Sequence, residues 1–270
     1  MEKISACLVV CNEEKLIGRC LESLKGAVDE IILVHDGPCQ DRTLEIAAEY
    51  GAKIFVRPFY GVAEGQRPFS YEKASHEWIL QIDADEFLSA ELSANLKILV
   101  SNNKVDAYKV IWPIWDGSAN KKGSWPEKII LFRKRAVVMW GIPHFVPRIS
   151  GKVIKTNFRL FHQPLLADLS IKGFFQKQSP WARQQAFCYL QDFSNIIKFN
   201  EIRTSWPWAV RIRRRFPLFL TPIEFIWTYG KNIIGGAYLA GFPGFKSAFL
   251  LACYRANVNY YMYKLKHDSK

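Results

Sequence analysis

The chain carries six cysteines, Cys7, Cys11, Cys20, Cys39, Cys188 and Cys253, yet no C-x-x-C pair. That absence excludes the usual zinc spacings and the thioredoxin-type redox motif. Most of these thiols lie in apolar runs, where they read as small buried hydrophobes of a protein kept in a reducing compartment. No G-x-x-x-x-G-K-[ST] loop is present, which removes the commonest phosphate cradle. No uninterrupted apolar run reaches about 18 residues, so no segment reads as a membrane span. The first apolar run is stopped by Asn12-Glu13-Glu14 and is too short for a signal peptide. RRM-type aromatics, zinc fingers and a basic zipper are also missing, which argues against a nucleic-acid partner.

What is there is a 270-residue chain that is 49% hydrophobic, enough for one large domain or a domain with an appendage. Its formal net charge of +12 is unevenly placed. From Ile196 onward twelve Lys and Arg face three acids, a net of +9, which leaves +3 for everything before. A basic tail of this kind seeks phosphate, either nucleic acid or anionic lipid headgroups.

The first ninety residues alternate strand and helix patterns. Ile4 to Val10, Glu30 to Val34 and Lys53 to Val56 read as strands. Asn12 is placed to cap a helix with Glu13 and Glu14 in its first turn and Leu16, Ile17, Cys20, Leu21 and Leu24 on one face. Asp41 or Thr43 opens a second helix that Gly51 ends. A loop from Arg57 to Gly65 precedes a helix around Gln66 to His76. This rhythm argues for a parallel sheet with right-handed crossovers. The next strand, Trp78 to Ile82, ends in Asp83-Ala84-Asp85-Glu86. In an open α/β sheet that exit edge is where ligands bind. Two Asp at i and i+2 there can both reach one hard cation, and such cations take carboxylates together with substrate phosphates. Read alone, the same residues equally suit a turn in which Asp83 or Asp85 caps a helix.

The segments Cys11-Asn12-Glu13-Glu14, Asp36-Gly37-Pro38-Cys39-Gln40-Asp41-Arg42-Thr43, Glu64-Gly65-Gln66-Arg67 and Asp83-Ala84-Asp85-Glu86 resemble, in order and spacing, those of family 2 glycosyltransferases. The resemblance implies a GT-A fold, a Rossmann-like, mostly parallel mixed sheet flanked by helices, and inverting transfer from a nucleotide-diphosphate sugar with Mg2+ or Mn2+. By the same resemblance Asp36 meets the nucleotide base, and Asn12, Glu13 and Glu14 lie along base and ribose. Arg67 sits near the diphosphate, Asp83 near ribose or metal, and Asp85 is the principal metal ligand.

Later in the chain, Val105 to Trp115 and Lys128 to Arg135 read as strands. Leu131-Phe132-Arg133-Lys134 followed by Gly141-Ile142-Pro143-His144 is similar to the family's element near the acceptor, with Phe145 where Glu is usual. His144, Glu127 and Asp116 are therefore the candidates for general base. Trp112, Trp115 and Trp125 are candidates to stack on an acceptor sugar. Leu160-Phe161-His162 also resembles a family element, and His162 is a candidate contact of the diphosphate.

From Ile196 the pattern turns to basic and aromatic helices interrupted by Pro207, Pro217, Pro222 and Pro243. Basic residues beside Trp and Phe suit an interfacial helix on an anionic membrane, and equally a helical cap with a solvated face. The stretch from Tyr229 to Phe245 resembles the C-terminus of lipopolysaccharide-core glucosyltransferases, with Leu239-Ala240-Gly241 in place of L-D-G. The expected organisation is a catalytic domain over residues 1–165 and a helical, basic-aromatic region over 166–270 that meets acceptor or membrane. The expected partners are a nucleotide-diphosphate sugar, a glycan or glycolipid acceptor and an anionic membrane, with no nucleic acid. The expected location is the cytoplasmic face of an inner membrane. A nucleic-acid- or membrane-binding α/β protein, or another nucleotide-using transferase, is the competing reading.

Overall fold

The computed structural model describes residues 2–113, 127–163, 171–200, 205–235, 238 and 241–268. The chain divides into two compact units, Met1–Leu165 with Ile197–Ile202, and Leu166–Ile196 with Arg203–Lys270.

The first unit is built on β1 (Ile4–Val10), β2 (Glu30–Asp36), β3 (Lys53–Arg57) and β4 (Trp78–Gln81), all parallel. All seven residues of β1 are buried. Strands covered on both faces read as unbroken apolar runs, which is why the alternation expected of a half-exposed sheet is missing. On one side Ile4, Ala6, Leu8 and Val10 meet α1 (Ile17–Leu24), whose Ile17, Cys20, Leu21 and Leu24 are buried at helical spacing. On the other side Cys7 and Val9 share a cluster with Tyr71 and Ala74 from α3 (Ala63–Lys73) and its end. Tyr71 also meets Phe132 edge to face at 5.5 Å. Burying side chains such as Trp78, Phe132 or Leu8 stabilises the unit by about 1.5–3 kcal/mol each.

Between β2 and β3 lies α2 (Thr43–Glu49). After β4 come β5 (Glu86–Leu88), α4 (Ala90–Val100), β6 (Ala107–Ile111) and β7 (Glu127–Arg133). The Ser89 hydroxyl caps α4 by accepting from Leu92 N at 3.1 Å. β8 (Val137–Trp140), β9 (Arg148–Ile149) and β10 (Val153–His162) follow. The large sheet runs β3-β2-β1-β4-β7-β6-β10-β5, with β7 antiparallel to both neighbours. The mixed α/β architecture agrees with the GT-A expectation. A small sheet joins β8 and β9 to β11 (Lys198–Phe199).

The chain leaves β1 toward β2 and β3, then returns to lay β4 on the other flank of β1. A reversal of this kind opens a crevice at the C-terminal ends of the two strands. Asn12 follows β1 and Asp83 follows β4, so both stand at that crevice.

Two local expectations are corrected. Asn12 does not cap a helix: its φ is +54°, and α1 begins only at Ile17, after a turn closed by Leu16 N on Glu13 O. Asn and Asp tolerate this left-handed conformation because a short polar side chain bonds locally, and the Asn12 side chain goes to Gln40 instead. The third helix starts at Ala63, inside the stretch expected to be loop, and stops at Lys73 because Ala74 is extended.

The second unit is helical: α5 (Ile171–Leu190), α6 (Trp208–Arg215), α7 (Pro217–Ile234) and α8 (Gly241–His267). No helix among the described residues is long and apolar enough to cross a membrane.

Candidate active site

The loops that leave the parallel strands are tied to one another by hydrogen bonds. Asn12 Oδ1 accepts from Gln40 N at 2.8 Å, Glu13 N donates to Thr43 Oγ1 at 2.7 Å, and Glu14 N donates to Asp41 Oδ2 at 3.1 Å. Glu14 Oε2 accepts from Arg42 N at 3.1 Å. Residues 11–14 and 37–43 are therefore one stitched rim. Burial opposes ionisation of Asp41, but the Thr43 hydroxyl and amide and the Glu14 amide hold its pKa down at about 2. Asn12 N donates to His35 Nε2 at 3.2 Å, which leaves His35 Nδ1 as the protonated nitrogen facing Gly37 O at 2.8 Å.

Asp36 is buried at the end of β2. Its Oδ1 accepts from Tyr60 N and from Gln66 Nε2, both at 2.7 Å, and its Oδ2 accepts from Gly61 N at 2.8 Å. Three of roughly four acceptor positions on this carboxylate are thus filled from within the protein. Asp36 fixes the loop that carries Tyr60. Tyr60 Oη in turn donates to Gly141 O at 2.9 Å, and Glu64 Oε1 accepts from His144 N at 3.1 Å. His144 is exposed on a left-handed backbone, φ +62°. The 141–144 segment is in this way anchored to the same rim.

At the end of β4 the acids part. Asp83 Oδ1 pairs with Arg67 at 2.9 Å and its Oδ2 with Lys128 Nζ at 3.1 Å. Lys128 also pairs with Glu86 Oε1 at 2.5 Å, and Glu86 is fully buried. Glu86 further accepts from Trp112 Nε1 at 2.6 Å and from Asp83 N at 2.9 Å. Two cations and two acids thus balance in one cluster. Burial opposes ionisation of Asp83, yet Arg67 and Lys128 hold its carboxyl far below the usual range. Burial pushes the Glu86 carboxyl up, against the pull of Lys128, and the Asp83 charge adds to the rise. Burial would depress the Lys128 ammonium, but the charges of Asp83 and Glu86 outweigh it and raise its pKa.

Asp85 makes a different contact. Its Oδ2 lies 3.0 Å from His162 Nε2, and its carbonyl accepts from Gln163 N at 2.8 Å. The His162 ring stacks on Trp112 at 4.6 Å, and among the described residues its buried Nδ1 has no hydrogen-bond partner. Trp112, expected as a sugar platform, is partly exposed; its N–H goes to Glu86, one neighbour is His162, and Lys128 lies 5.2 Å from its ring centre. A carboxylate oxygen beside an imidazole nitrogen, both partly exposed, is a donor pair fit for one divalent cation. Asp83 has both oxygens committed to cations. Among the described residues no three His, Cys, Asp or Glu gather into a metal-binding group.

Of the expected bases, Glu127 pairs with Lys155 at 2.6 Å, which holds its carboxyl below the usual range. Asp116, with Trp115 and Trp125, lies outside the described residues. Lys128 and Glu86 are the members of the cluster that sequence reasoning missed. The one signal for Lys128 was a cation at the mouth of an apolar strand, Ile129-Ile130-Leu131-Phe132.

The family model for Glycosyl transferase family 2 matches residues 5–153. A Rickettsia felis protein described as an uncharacterized glycosyltransferase is 42% identical over 108 residues, 40% of this chain and 38% of that protein. The lipopolysaccharide core biosynthesis glycosyltransferase LpsC of Rhizobium meliloti is 32% identical over 113 residues, 40% of this chain and 41% of LpsC. These matches span well under half the length of either relative. Among solved structures, S. aureus TarS 1-349 aligns with a TM-score of 0.47 and 12% identity over 98% of this chain and 92% of that chain. The family match runs over more than half of the 270 residues, and the chain belongs to glycosyl transferase family 2.

Proposed function

We propose that the α/β unit moves a sugar, with inversion, from a nucleotide-diphosphate sugar to a surface glycan or lipid-linked acceptor. The observation that carries this reading is the acid edge at the strand-order reversal, where Asp85 stands beside His162 and Asp83 between Arg67 and Lys128. The rim of residues 11–14 and 37–43, with Asp36 behind it, receives the nucleotide. Asp85 and His162 would hold a divalent cation, and their mixed oxygen and nitrogen donors suit Mn2+ better than Mg2+. A cation held there would supply Lewis-acid neutralisation of the diphosphate leaving group. Arg67 and Lys128 keep Asp83 ionised and rigid and add positive charge at the same edge. His144, on the segment tied to Tyr60 and Glu64, takes the proton of the attacking hydroxyl.

The similarity to LpsC, named for lipopolysaccharide core biosynthesis, supports a surface-glycan acceptor. The net +9 from Ile196 onward supports a peripheral position on the cytoplasmic face of an inner membrane. The test is a screen of UDP-, GDP- and dTDP-sugars with Mn2+ or Mg2+, read as protection against melting and as release of nucleotide diphosphate. One nucleotide that protects only with metal, and whose sugar is turned over, is the expected result. No protection by any of them removes the reading.

A further inference from the structure

A cavity of about 580 Å3 lies within the helical unit, walled by α6, α7 and α8. Arg213, Glu224, Trp227, Lys231, Asn232 and Arg255 are among its lining residues. Its acid is already answered: Arg213 Nε donates to Glu224 Oε1 at 2.8 Å and a second guanidinium nitrogen does so at 2.5 Å. Among the described residues neither Lys231 nor Arg255 makes an ion pair. Among the described residues the cavity therefore presents two cations outside any ion pair, with an indole and the Asn232 amide, whose Nδ2 already donates to Thr228 O at 2.7 Å. That set recognises a phosphoryl group, with Arg255 as a planar fork and Lys231 as a point charge.

The outer surface of α7 says what carries the phosphoryl group. Glu224 and Lys231 are the only charged residues in the helix, and both line the cavity. Phe219, Ile223, Ile226, Trp227 and Ile234 fall within roughly a 100° arc at 3.6 residues per turn. All five are exposed, Trp227 by 71% and Ile234 by 86%. An apolar stripe of this size facing water marks an interaction surface. Trp227 belongs to both features, so the stripe borders the mouth of the cavity. On α6, exposed Trp208 and Ile212 accompany Arg211 and Arg215, which adds the charge that an anionic bilayer attracts.

We propose that this cavity holds the phosphoryl headgroup of an anionic membrane amphiphile, whose hydrocarbon lies along the exposed stripe of α7. The inference rests on the membrane-facing reading above and is independent of the transfer chemistry. The full chain is tested for co-sedimentation with vesicles of phosphatidylcholine alone or with about a fifth phosphatidic acid. Dihexanoyl phosphatidic acid below its micelle concentration and inorganic phosphate are titrated by calorimetry. Three double variants are compared after circular dichroism shows each to be folded: Lys231→Gln with Arg255→Gln, Ile223→Ser with Ile226→Ser on the stripe outside the cavity lining, and the charge-matched control Lys104→Gln with Lys152→Gln.

The wild type and the control should bind phosphatidic acid vesicles and the soluble lipid alike. The cavity variant should lose about tenfold or more in affinity for the soluble lipid. For the soluble lipid the stripe variant should fall toward the affinity of inorganic phosphate, and it should lose vesicles. Binding of phosphatidic acid vesicles with an unaffected cavity variant overturns the headgroup site and leaves the membrane reading standing. Inorganic phosphate binding as tightly as the soluble lipid overturns the amphiphile as the ligand. Failure of the wild type to bind any vesicle overturns both.

Discussion

Asp85 Oδ2 and His162 Nε2, seventy-seven residues apart in the chain, lie 3.0 Å from each other. The antiparallel pairing of β5 with β10, with His162 opposite Glu86, makes that meeting possible. If this pair holds the cation, His162→Ala should weaken Mn2+ binding by about tenfold or more, with a smaller effect on Mg2+, since imidazole suits Mn2+ better than Mg2+. Mn2+ titration followed by electron paramagnetic resonance reads this without turnover. A variant that titrates like the wild type rules out the imidazole as a ligand. Asp85→Asn should lose both metals.

The charge cluster behind Asp83 makes a prediction about stability. Lys128→Met leaves Glu86 fully buried and Asp83 with one cation fewer. Stranding a buried acid in this way costs about 3–5 kcal/mol. Adding Glu86→Gln to Lys128→Met should recover a large part of the loss, because a neutral amide replaces the stranded charge. Urea unfolding of the two single variants and the double variant forms the cycle. A double variant as unstable as the sum of the singles contradicts the pairing.

A third prediction concerns acid. Glu30 is buried, and although burial opposes ionisation, bonds from Lys53, Ser5 and Ser75 hold its pKa at about 2 rather than 4.5. The folded value is depressed, so the stabilisation is present above about pH 4.5 and is lost as pH falls toward 2. At 1.36 kcal/mol per pH unit its upper bound is about 3 kcal/mol, reduced by solvent screening because the Lys53 partner is 60% exposed. Glu30→Gln should be less stable at neutral pH and should show a flatter decline between pH 4.5 and 2. Parallel acid limbs for variant and wild type count against this account.

The parallel strands were legible because each is a short apolar run that ends in turn residues, as Ile31-Ile32-Leu33-Val34 does before Asp36. The acid edge was legible for the same reason: carboxylates do not follow buried strands without cause. What each acid touches was not legible. Lys128 reaches Asp83 only because β7 pairs antiparallel with β4, Leu131 opposite Leu80, and that register joins residues forty-five apart. Asn12 was misread because its spacing before Leu16 and Ile17 matches a cap. The competing attraction, the amide of Gln40 twenty-eight residues on, depends on how β1 and β2 pair. Nothing local in Trp112 tells that its ring stacks on His162 or that its N–H reaches Glu86.

The last prediction tests the loop that joins Asp36 to the His144 segment. A Cβ on Gly65 would sit 1.9 Å from the Tyr60 ring, far inside contact distance. The ring cannot move freely, since Tyr60 N is held by Asp36 and its hydroxyl by Gly141 O. Gly65→Ala should therefore displace Tyr60 and cost about 1–3 kcal/mol by overpacking. The displacement would loosen both Asp36 and the segment that carries His144, so nucleotide affinity and turnover should fall together. Tyr60→Ala in the same chain removes the obstructing ring and should restore much of the stability. Activity should stay low, because the bond to Gly141 O remains lost. Melting temperature and nucleotide titration on the single and double variants separate the two effects. Full activity in Gly65→Ala would mean that the Tyr60 ring does not set the position of this loop.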